Sequence, residues 1–237
     1  MLNKTTLLAQ ADLLFLLAKL FAPPTVDTKT PITPVTFDEL IQQTQLPESD
    51  KISQCYQQVL QQMESTDLAD WQAEYNYLFE GNVACAINET GYDRRDKGAI
   101  LADIAGFYSA FNMQLSESAT EKGDHLICEL EFIALLLVRL AKAETEEERT
   151  VTYDALAAFC FDHTSGWITL FCKKLSETSE LYTHLTELLK ISWQGIVEAN
   201  RLPITELNPQ KIIPIKEDTD TPYECDMAEE LAISKVV

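Results

Sequence analysis

Four ionisable residues stand at the beginning of the most apolar segment of this chain. Asp124, His125, Glu129 and Glu131 precede or interrupt a run in which most positions from 126 to 140 carry hydrophobic side chains. Apolar residues on nearly every face predict a central, buried helix, which we expect to cover about 121–143. Unpaired charges are strongly disfavoured in such a position because they lose their hydration, so these side chains need partners.

A metal ion is one possible partner for these side chains. Imidazole and carboxylate groups suit several divalent ions, and residues four apart, such as His125 and Glu129, share one face of a helix. A dinuclear site in a helical bundle uses two Glu-x-x-His motifs, and the sequence contains none. We therefore expect no metal site. A metal-dependent helical enzyme that uses Asp124, His125 and Glu129 stays open as an alternative.

The same four residues also have a purely structural explanation. Asp124 in the first turn of a helix is favoured by the helix dipole. His125 could be a core histidine whose ring nitrogens are hydrogen-bonded. The two glutamates would then pair with one of three arginines, Arg94, Arg95 or Arg139.

Other arrangements that support catalysis are missing from the sequence. It has no Gly-x-Ser-x-Gly motif, no phosphate-binding glycine loop and no dinucleotide fingerprint, and it contains only three histidines. We therefore assign no catalytic residues from these motifs.

The charge balance restricts the class of partner. The chain carries 38 acidic and 18 basic residues, a formal net charge of −20. Binding to nucleic acid or to an anionic membrane surface is unfavourable for such a chain, and a basic peptide would be steered toward it. An acidic adaptor protein that acts through its C-terminal region is a further alternative.

Cysteine usage and hydropathy indicate the compartment. The six cysteines are widely spaced, form no Cys-x-x-Cys motif and mostly lie in apolar contexts, which is typical of proteins in a reducing environment. Asp12 and Lys19 closely bracket the apolar run at 13–17, so we do not assign a secretory signal there. The run at 132–138 is too short to span a bilayer. We expect a cytoplasmic protein without stable membrane insertion.

Helical periodicity recurs along the chain, whereas no long segment alternates apolar and polar residues. Thr36, with Glu39 completing a capping box, predicts the start of a short second helix. Residues 81–97 predict a polar loop. The other predicted helices cover about 3–21, 48–64, 67–79, 98–112, 121–143, 147–163, 165–176 and 178–200. This pattern indicates an all-α, single-domain bundle of about eight or nine helices over residues 1–202.

The helical pattern stops at Pro203. Residues 203–237 carry eight acidic residues and three lysines, which predicts an irregular acidic tail with interspersed prolines. Within this tail the short apolar patch from Ile212 to Ile215 suggests a docking point.

Several segments occur in an order that is found in a known family. They are Leu13-Leu-Phe-Leu-Leu-Ala-Lys-Leu-Phe-Ala-Pro-Pro24, Tyr75-Asn-Tyr-Leu-Phe-Glu-Gly81 with Asn88-Glu-Thr-Gly-Tyr92, Leu101-Ala-Asp-Ile-Ala-Gly-Phe-Tyr-Ser-Ala-Phe111, Asp124-His-Leu-Ile-Cys-Glu-Leu-Glu-Phe132 and, more weakly, Phe161-Asp-His-Thr-Ser-Gly-Trp167. Through them the chain resembles the TorD-like family of cytoplasmic chaperones for molybdenum-containing oxidoreductases, which also includes the nitrate-reductase maturation chaperones. Many members carry a Pro-Tyr-Glu-Ser-like sequence where this chain has residues 86–90.

The resemblance implies an all-helical fold and a binding function without turnover. The partner would be the immature molybdopterin oxidoreductase and its twin-arginine signal peptide, held until the cofactor is inserted. No cofactor of its own is implied beyond weak guanine-nucleotide binding, and the state would be a monomer or a domain-swapped homodimer. Carried over by position, the implied client-binding residues are Asp124, His125, Glu129, Glu131, Phe132, Tyr77, Phe79, Asn88, Glu89 and Tyr92.

Overall fold

The computed structural model describes residues 2–26, 32–81, 83–114, 122–205 and 207, and within these ranges the chain is all-α, as predicted. The predicted acidic tail, 203–237, lies outside the described residues except for 203–205 and 207. The helices of the described ranges are α1 (Lys4–Leu20), α2 (Pro34–Thr44), α3 (Ser49–Ser65), α4 (Leu68–Phe79), α5 (Lys97–Ala110), α6 (Leu126–Lys142), α7 (Glu146–Phe159), α8 (Ser165–Thr178) and α9 (Thr183–Asn200).

Helix α6 is the centre of the bundle, as its apolar sequence predicts. It packs closely on α1 along their lengths and also contacts α7. The facing side of α1 is itself a row of fully buried leucines, Leu13, Leu14 and Leu17. Burial of this apolar surface is the main force that holds the two helices together, because each buried leucine side chain stabilises the fold by about 2 kcal/mol.

An aromatic cluster joins α5 and α7 to α6. The ring of Phe132 on α6 lies 4.7 Å from that of Phe159 on α7 and 4.8 Å from that of Tyr108 on α5, measured between centroids. Phe107 and Phe111 of α5 complete the cluster at 6.4 and 6.0 Å from Phe132. Phe132 is fully buried, so this predicted client-binding residue lies in the core of the bundle.

The start of α6 differs from the sequence prediction. The helix begins at Leu126, and His125 is its N-cap residue, with extended backbone and a side chain whose Nδ1 accepts a hydrogen bond from the Ile127 amide at 3.2 Å. Asp124 precedes the cap. The prediction that Asp124 and His125 lie within the helix was therefore wrong. The apolar pattern does not distinguish a first turn from the extended residues that cap it.

The start of α2 also differs from the prediction. Thr33, and not Thr36, is the N-cap, and its Oγ1 accepts a hydrogen bond from the Thr36 amide at 3.2 Å. Pro34 then occupies the first helical position, where its fixed φ and missing N–H suit the helix start.

Helices α7 and α8 form one continuous helical run, although the sequence predicted two separate helices. Between them lies a five-residue π-helical turn, Cys160–Thr164. Two carbonyls of this turn accept hydrogen bonds from side chains of other segments. The Phe161 carbonyl accepts from Thr205 Oγ1 at 2.8 Å, and the Asp162 carbonyl accepts from Arg95 Nη2 at 2.6 Å.

The chain reverses direction after α4 and enters the predicted loop. Gly81 has φ +60°, a left-handed conformation that glycine adopts without strain. The returning chain is fixed to α4 by the Cys85 amide, which donates to the Leu78 carbonyl at 2.9 Å. The loop therefore runs back along α4 toward the start of α6.

The five cysteines within the described ranges are all free and buried. None of the helices in those ranges is long and apolar enough to cross a bilayer.

Candidate functional site

A groove lies where α4, the loop at residues 86–92 and the residues before α6 meet. We call it the α4–α6 groove. It has a volume of about 220 Å³ and is lined by Tyr75, Phe79, Glu80, Ile87, Asn88, Lys122 and His125. One wall is aromatic and the rim carries the exposed carboxylate of Glu80. Such a combination suits a peptide that is apolar along part of its length and basic nearby.

Asp124 fixes the loop that forms one wall of this groove. Its Oδ2 accepts hydrogen bonds from the Thr90 amide at 3.1 Å and from Thr90 Oγ1 at 2.7 Å, and its Oδ1 accepts from Asn88 Nδ2 at 3.2 Å. The side chain is 0% exposed. Its hydrogen bonds all run to the loop, so Asp124 positions the groove from beneath.

Backbone hydrogen bonds also hold the loop against the residues before α6. The Glu89 amide donates to the Asp124 carbonyl at 2.9 Å, and the Leu126 amide donates to the Ile87 carbonyl at 3.0 Å, which forms an isolated antiparallel bridge around Asn88 and His125. Within the loop, a Cβ at Gly91 would collide with Ala86 Cβ, so the close turn depends on glycine. The loop therefore has one well-defined position against the start of α6.

Glu89 ties the loop to the π turn. Its carboxylate is 1% exposed and accepts from Arg95 Nη2 at 2.8 Å, while His163 Nδ1 lies 3.0 Å from its Oε2. The other ring nitrogen of His163, Nε2, lies 3.2 Å from Asp103 Oδ2 on α5. Arg95 also donates to the Asp162 carbonyl, so its guanidinium links Glu89 of the loop to the π turn.

Glu129 is a fully buried acid near the start of α6. Its side chain is 0% exposed, and its Oε2 accepts a hydrogen bond from Trp167 Nε1 at 3.0 Å. Burial raises the pKa of Glu129 well above its ordinary value, and the neighbouring side chains of Glu89 and Asp124 raise it further. The Trp167 hydrogen bond opposes the shift without cancelling it. The surroundings of Glu129 therefore favour its protonated form.

Tyr92 is a buried residue that holds the two ends of the loop together. Its hydroxyl donates to the Ala86 carbonyl at 2.8 Å, and its ring stacks on Trp167 with centroids 5.7 Å apart. Burial raises the pKa of the Tyr92 hydroxyl, so this group remains protonated and keeps its hydrogen bond.

The structure brings only some of the predicted client-binding residues to the groove. Phe79, Asn88 and His125 line it, and of these Phe79 and His125 are themselves buried. Asp124, Glu89, Glu129, Tyr92 and Phe132 are buried and do not line it, Glu131 is half-buried on α6, and Tyr77 on α4 is 57% exposed. Glu129 bonds Trp167 and not one of the three arginines proposed from sequence, whereas Arg95 pairs with Glu89 and Asp93.

Several residues of the site were not predicted from sequence. They are Tyr75, Glu80, Thr90, Lys122, His163 and Trp167, whereas Arg95 was expected only as a partner of Glu129 or Glu131. His163 and Trp167 stand in the weak fifth segment of the family resemblance, which was the signal for their role. Tyr75, Glu80 and Thr90 stand in the second segment, but their contacts depend on how the loop folds back.

The metal alternative finds little support in this arrangement. Within the described ranges, no three His, Cys, Asp or Glu residues are grouped so that they could hold a metal ion. Asp124 bonds the loop, His125 caps α6 and Glu129 bonds Trp167, so the three side chains proposed as ligands serve different contacts.

The comparisons with known proteins agree on one class. A model of the family described as nitrate reductase delta subunit matches residues 46–173. A selenate reductase assembly chaperone protein of Thauera selenatis is 33% identical over 59% of this chain and 72% of its own length. A chlorate reductase assembly chaperone protein of Ideonella dechloratans is 31% identical over the same shares.

A solved structure is also similar. It is a candidate redox enzyme maturation protein of Archaeoglobus fulgidus, 20% identical, with a TM-score of 0.48 over 78% of this chain and 92% of the other.

We expect Asp124→Asn to loosen the loop. Asparagine keeps the shape but offers one acceptor oxygen, and its NH₂ group would face donors that now bond a carboxylate. The change should cost about 1–3 kcal/mol in the free energy of unfolding, measured by urea denaturation. Asp154→Asn, at an exposed position on α7, is the matched control. Equal effects of the two substitutions would contradict the bracing role of Asp124.

We expect Glu129→Gln to remove a pH dependence of stability. Because the pKa of Glu129 is raised in the folded chain, the folded state keeps a proton that the unfolded state loses as pH rises above its ordinary pKa. Wild-type stability should therefore fall with rising pH until the folded pKa is reached. Glutamine resembles the protonated acid and does not titrate.

The measurement is thermal unfolding at pH 5 and pH 8. The melting temperature of Glu129→Gln relative to wild type should be higher at pH 8 than at pH 5. The control Glu147→Gln, at an exposed position on α7, should show no such trend. A relative melting temperature for Glu129→Gln that does not rise with pH would show that the buried carboxyl is already ionised.

Proposed function

Because this chain belongs to the nitrate reductase delta subunit family, in agreement with the resemblance found in its sequence, we propose that it is a maturation chaperone of a molybdenum-containing oxidoreductase. The proposed client is the immature catalytic subunit, with its twin-arginine signal peptide bound in the α4–α6 groove. Binding takes place in the cytoplasm, assists cofactor insertion and delays export until insertion is complete.

The observation that carries this proposal is the position of the groove. All of its lining residues, from Tyr75 to His125, fall within the matched residues 46–173. Two relatives of this chain are named assembly chaperones, one for a selenate and one for a chlorate reductase. The residues matched by the family, 46–173, contain both the groove and the loop that is braced against α6.

The chemistry of the groove fits a twin-arginine peptide. Such a peptide is basic near its start and apolar afterward. The side chains of Tyr75, Phe79 and Ile87 are largely buried and contribute the apolar part of the groove lining. The Glu80 carboxylate on the rim can accept a bidentate hydrogen bond from a guanidinium, a strong form of charge-assisted contact.

The net charge supports the same partner. At −20, the chain attracts a basic peptide at long range and increases its rate of association, and added salt weakens this attraction. Lys122 is the cationic residue among those that line the groove. Its position favours an orientation in which the arginines lie near Glu80.

The buried acids have a supporting role in this proposal. Asp124, Glu89 and Glu129 are at most 1% exposed, so the peptide would contact the surface that they position. The proposed function is binding without turnover. The weak guanine-nucleotide binding that the resemblance implies stays a prediction.

Titration calorimetry of the full chain with a twin-arginine peptide tests the proposal. The peptide should come from a reductase encoded beside this gene. We expect saturable binding that weakens with salt, and a loss of about tenfold in affinity for Glu80→Lys, the equivalent of about 1.4 kcal/mol. His125→Ala should also lower affinity, and by more than its effect on the melting temperature predicts.

Two controls make this test specific. Glu177→Lys makes the same charge change at an exposed position on α8, outside the groove, and should bind like wild type. A peptide with both arginines replaced by alanine should bind more weakly than the parent. Absence of binding, or equal losses for Glu80→Lys and Glu177→Lys, would rule out the α4–α6 groove as the peptide site.

A further inference from the structure

A second groove lies between α8 and α9, away from the α4–α6 groove. It has a volume of about 430 Å³, and its lining includes Gly166, Leu170, Trp193 and Val197, with the exposed carboxylate of Glu198 on its rim. The lining is largely apolar. Contiguous exposed apolar surface is where another segment or partner can pack.

The chain itself enters this groove after α9. The Thr205 amide donates to Ser165 Oγ at 2.8 Å, and Thr205 Oγ1 donates to the Phe161 carbonyl. Leu207 then packs on Gly166, where an added Cβ would lie only 2.8 Å from Leu207 Cγ. Thr205 and Leu207, just beyond α9, are therefore fixed to α8 at this groove.

We propose that the α8–α9 groove is the docking site of this chain's own C-terminal region, with the segment Ile212–Ile215 as its occupant. Ile213 lies six residues beyond Leu207, so the two can be at most about 20 Å apart when the chain between them is extended. Helix α8 has 14 residues and is therefore about 21 Å long. The isoleucines can reach any part of the groove without displacing Leu207.

The chemistry of this segment matches the groove. Ile212, Ile213 and Ile215 form an apolar cluster in a region that is otherwise mostly acidic and polar. Pro209 and Pro214 favour an extended backbone, which a shallow groove between two helices can accept. Lys211 and Lys216 flank the isoleucines and complement Glu198 on the rim.

Docking of this segment has a consequence for the rest of the molecule. Thr205 bonds the Phe161 carbonyl of the π turn, while Arg95 bonds the adjacent Asp162 carbonyl and also holds Glu89. With Ile212–Ile215 docked, the α8–α9 groove is occupied by this chain, and the α4–α6 groove is left open for other chains.

Thiol labelling of the full chain tests the proposal. Thr169 lines the groove and is exposed. In a Cys225→Ser background, Thr169→Cys places a reactive thiol in the groove, while the five described native cysteines are buried. Adding Ile213→Asp should raise the maleimide labelling rate at position 169 several-fold, because a charged side chain cannot dock there. Ile213→Ser should act in the same direction.

A matched control and a concentration series complete the design. Glu177→Cys, exposed on the last turns of α8 outside the groove, should label at the same rate with and without Ile213→Asp. Protection of position 169 should not depend on protein concentration. An unchanged rate after both isoleucine substitutions would overturn the proposal. Protection that appears only at high protein concentration would also overturn it, by assigning the groove to a second copy of the chain.

Discussion

The fold around the candidate site depends on carboxyl groups that are enclosed by the protein. Asp124, Glu89 and Glu129 lose their hydration on folding, and this loss can be offset only if the hydrogen bonds from the loop, from Arg95 and from Trp167 are all made. Displacing the loop would leave buried charges without partners. The loop at residues 86–92 is therefore fixed against α6, and the α4–α6 groove has a defined shape before any peptide binds.

The π turn extends this constraint to the far side of the bundle. It supplies His163 to Glu89 and the Asp162 carbonyl to Arg95, and on its other side the Phe161 carbonyl bonds Thr205. This turn therefore connects the loop at the wall of one groove with Thr205, which lines the other.

The sequence predicted the helical class well and the site only in part. Helical periodicity gave α3, α4 and α9 because their buried faces repeat regularly, although α9 begins later than predicted. The predicted gap between α7 and α8 was wrong because a π turn keeps the helical apolar pattern. Asp124 and His125 were assigned to α6 because apolar spacing does not reveal a cap. The position of Glu80 on the groove and the pairing of Arg95 with Glu89 could not be identified, since both arise only when the loop folds back on α4.

The central claim is that the buried acids position a peptide-binding groove and do not themselves bind the peptide. Amide hydrogen exchange of the full chain, with and without a twin-arginine peptide, tests this most directly. We predict added protection in residues 75–92 and 122–127, with exchange at α8 and α9 unchanged. Protection confined to α8 and α9, or absent from the loop while the peptide is bound, would contradict it.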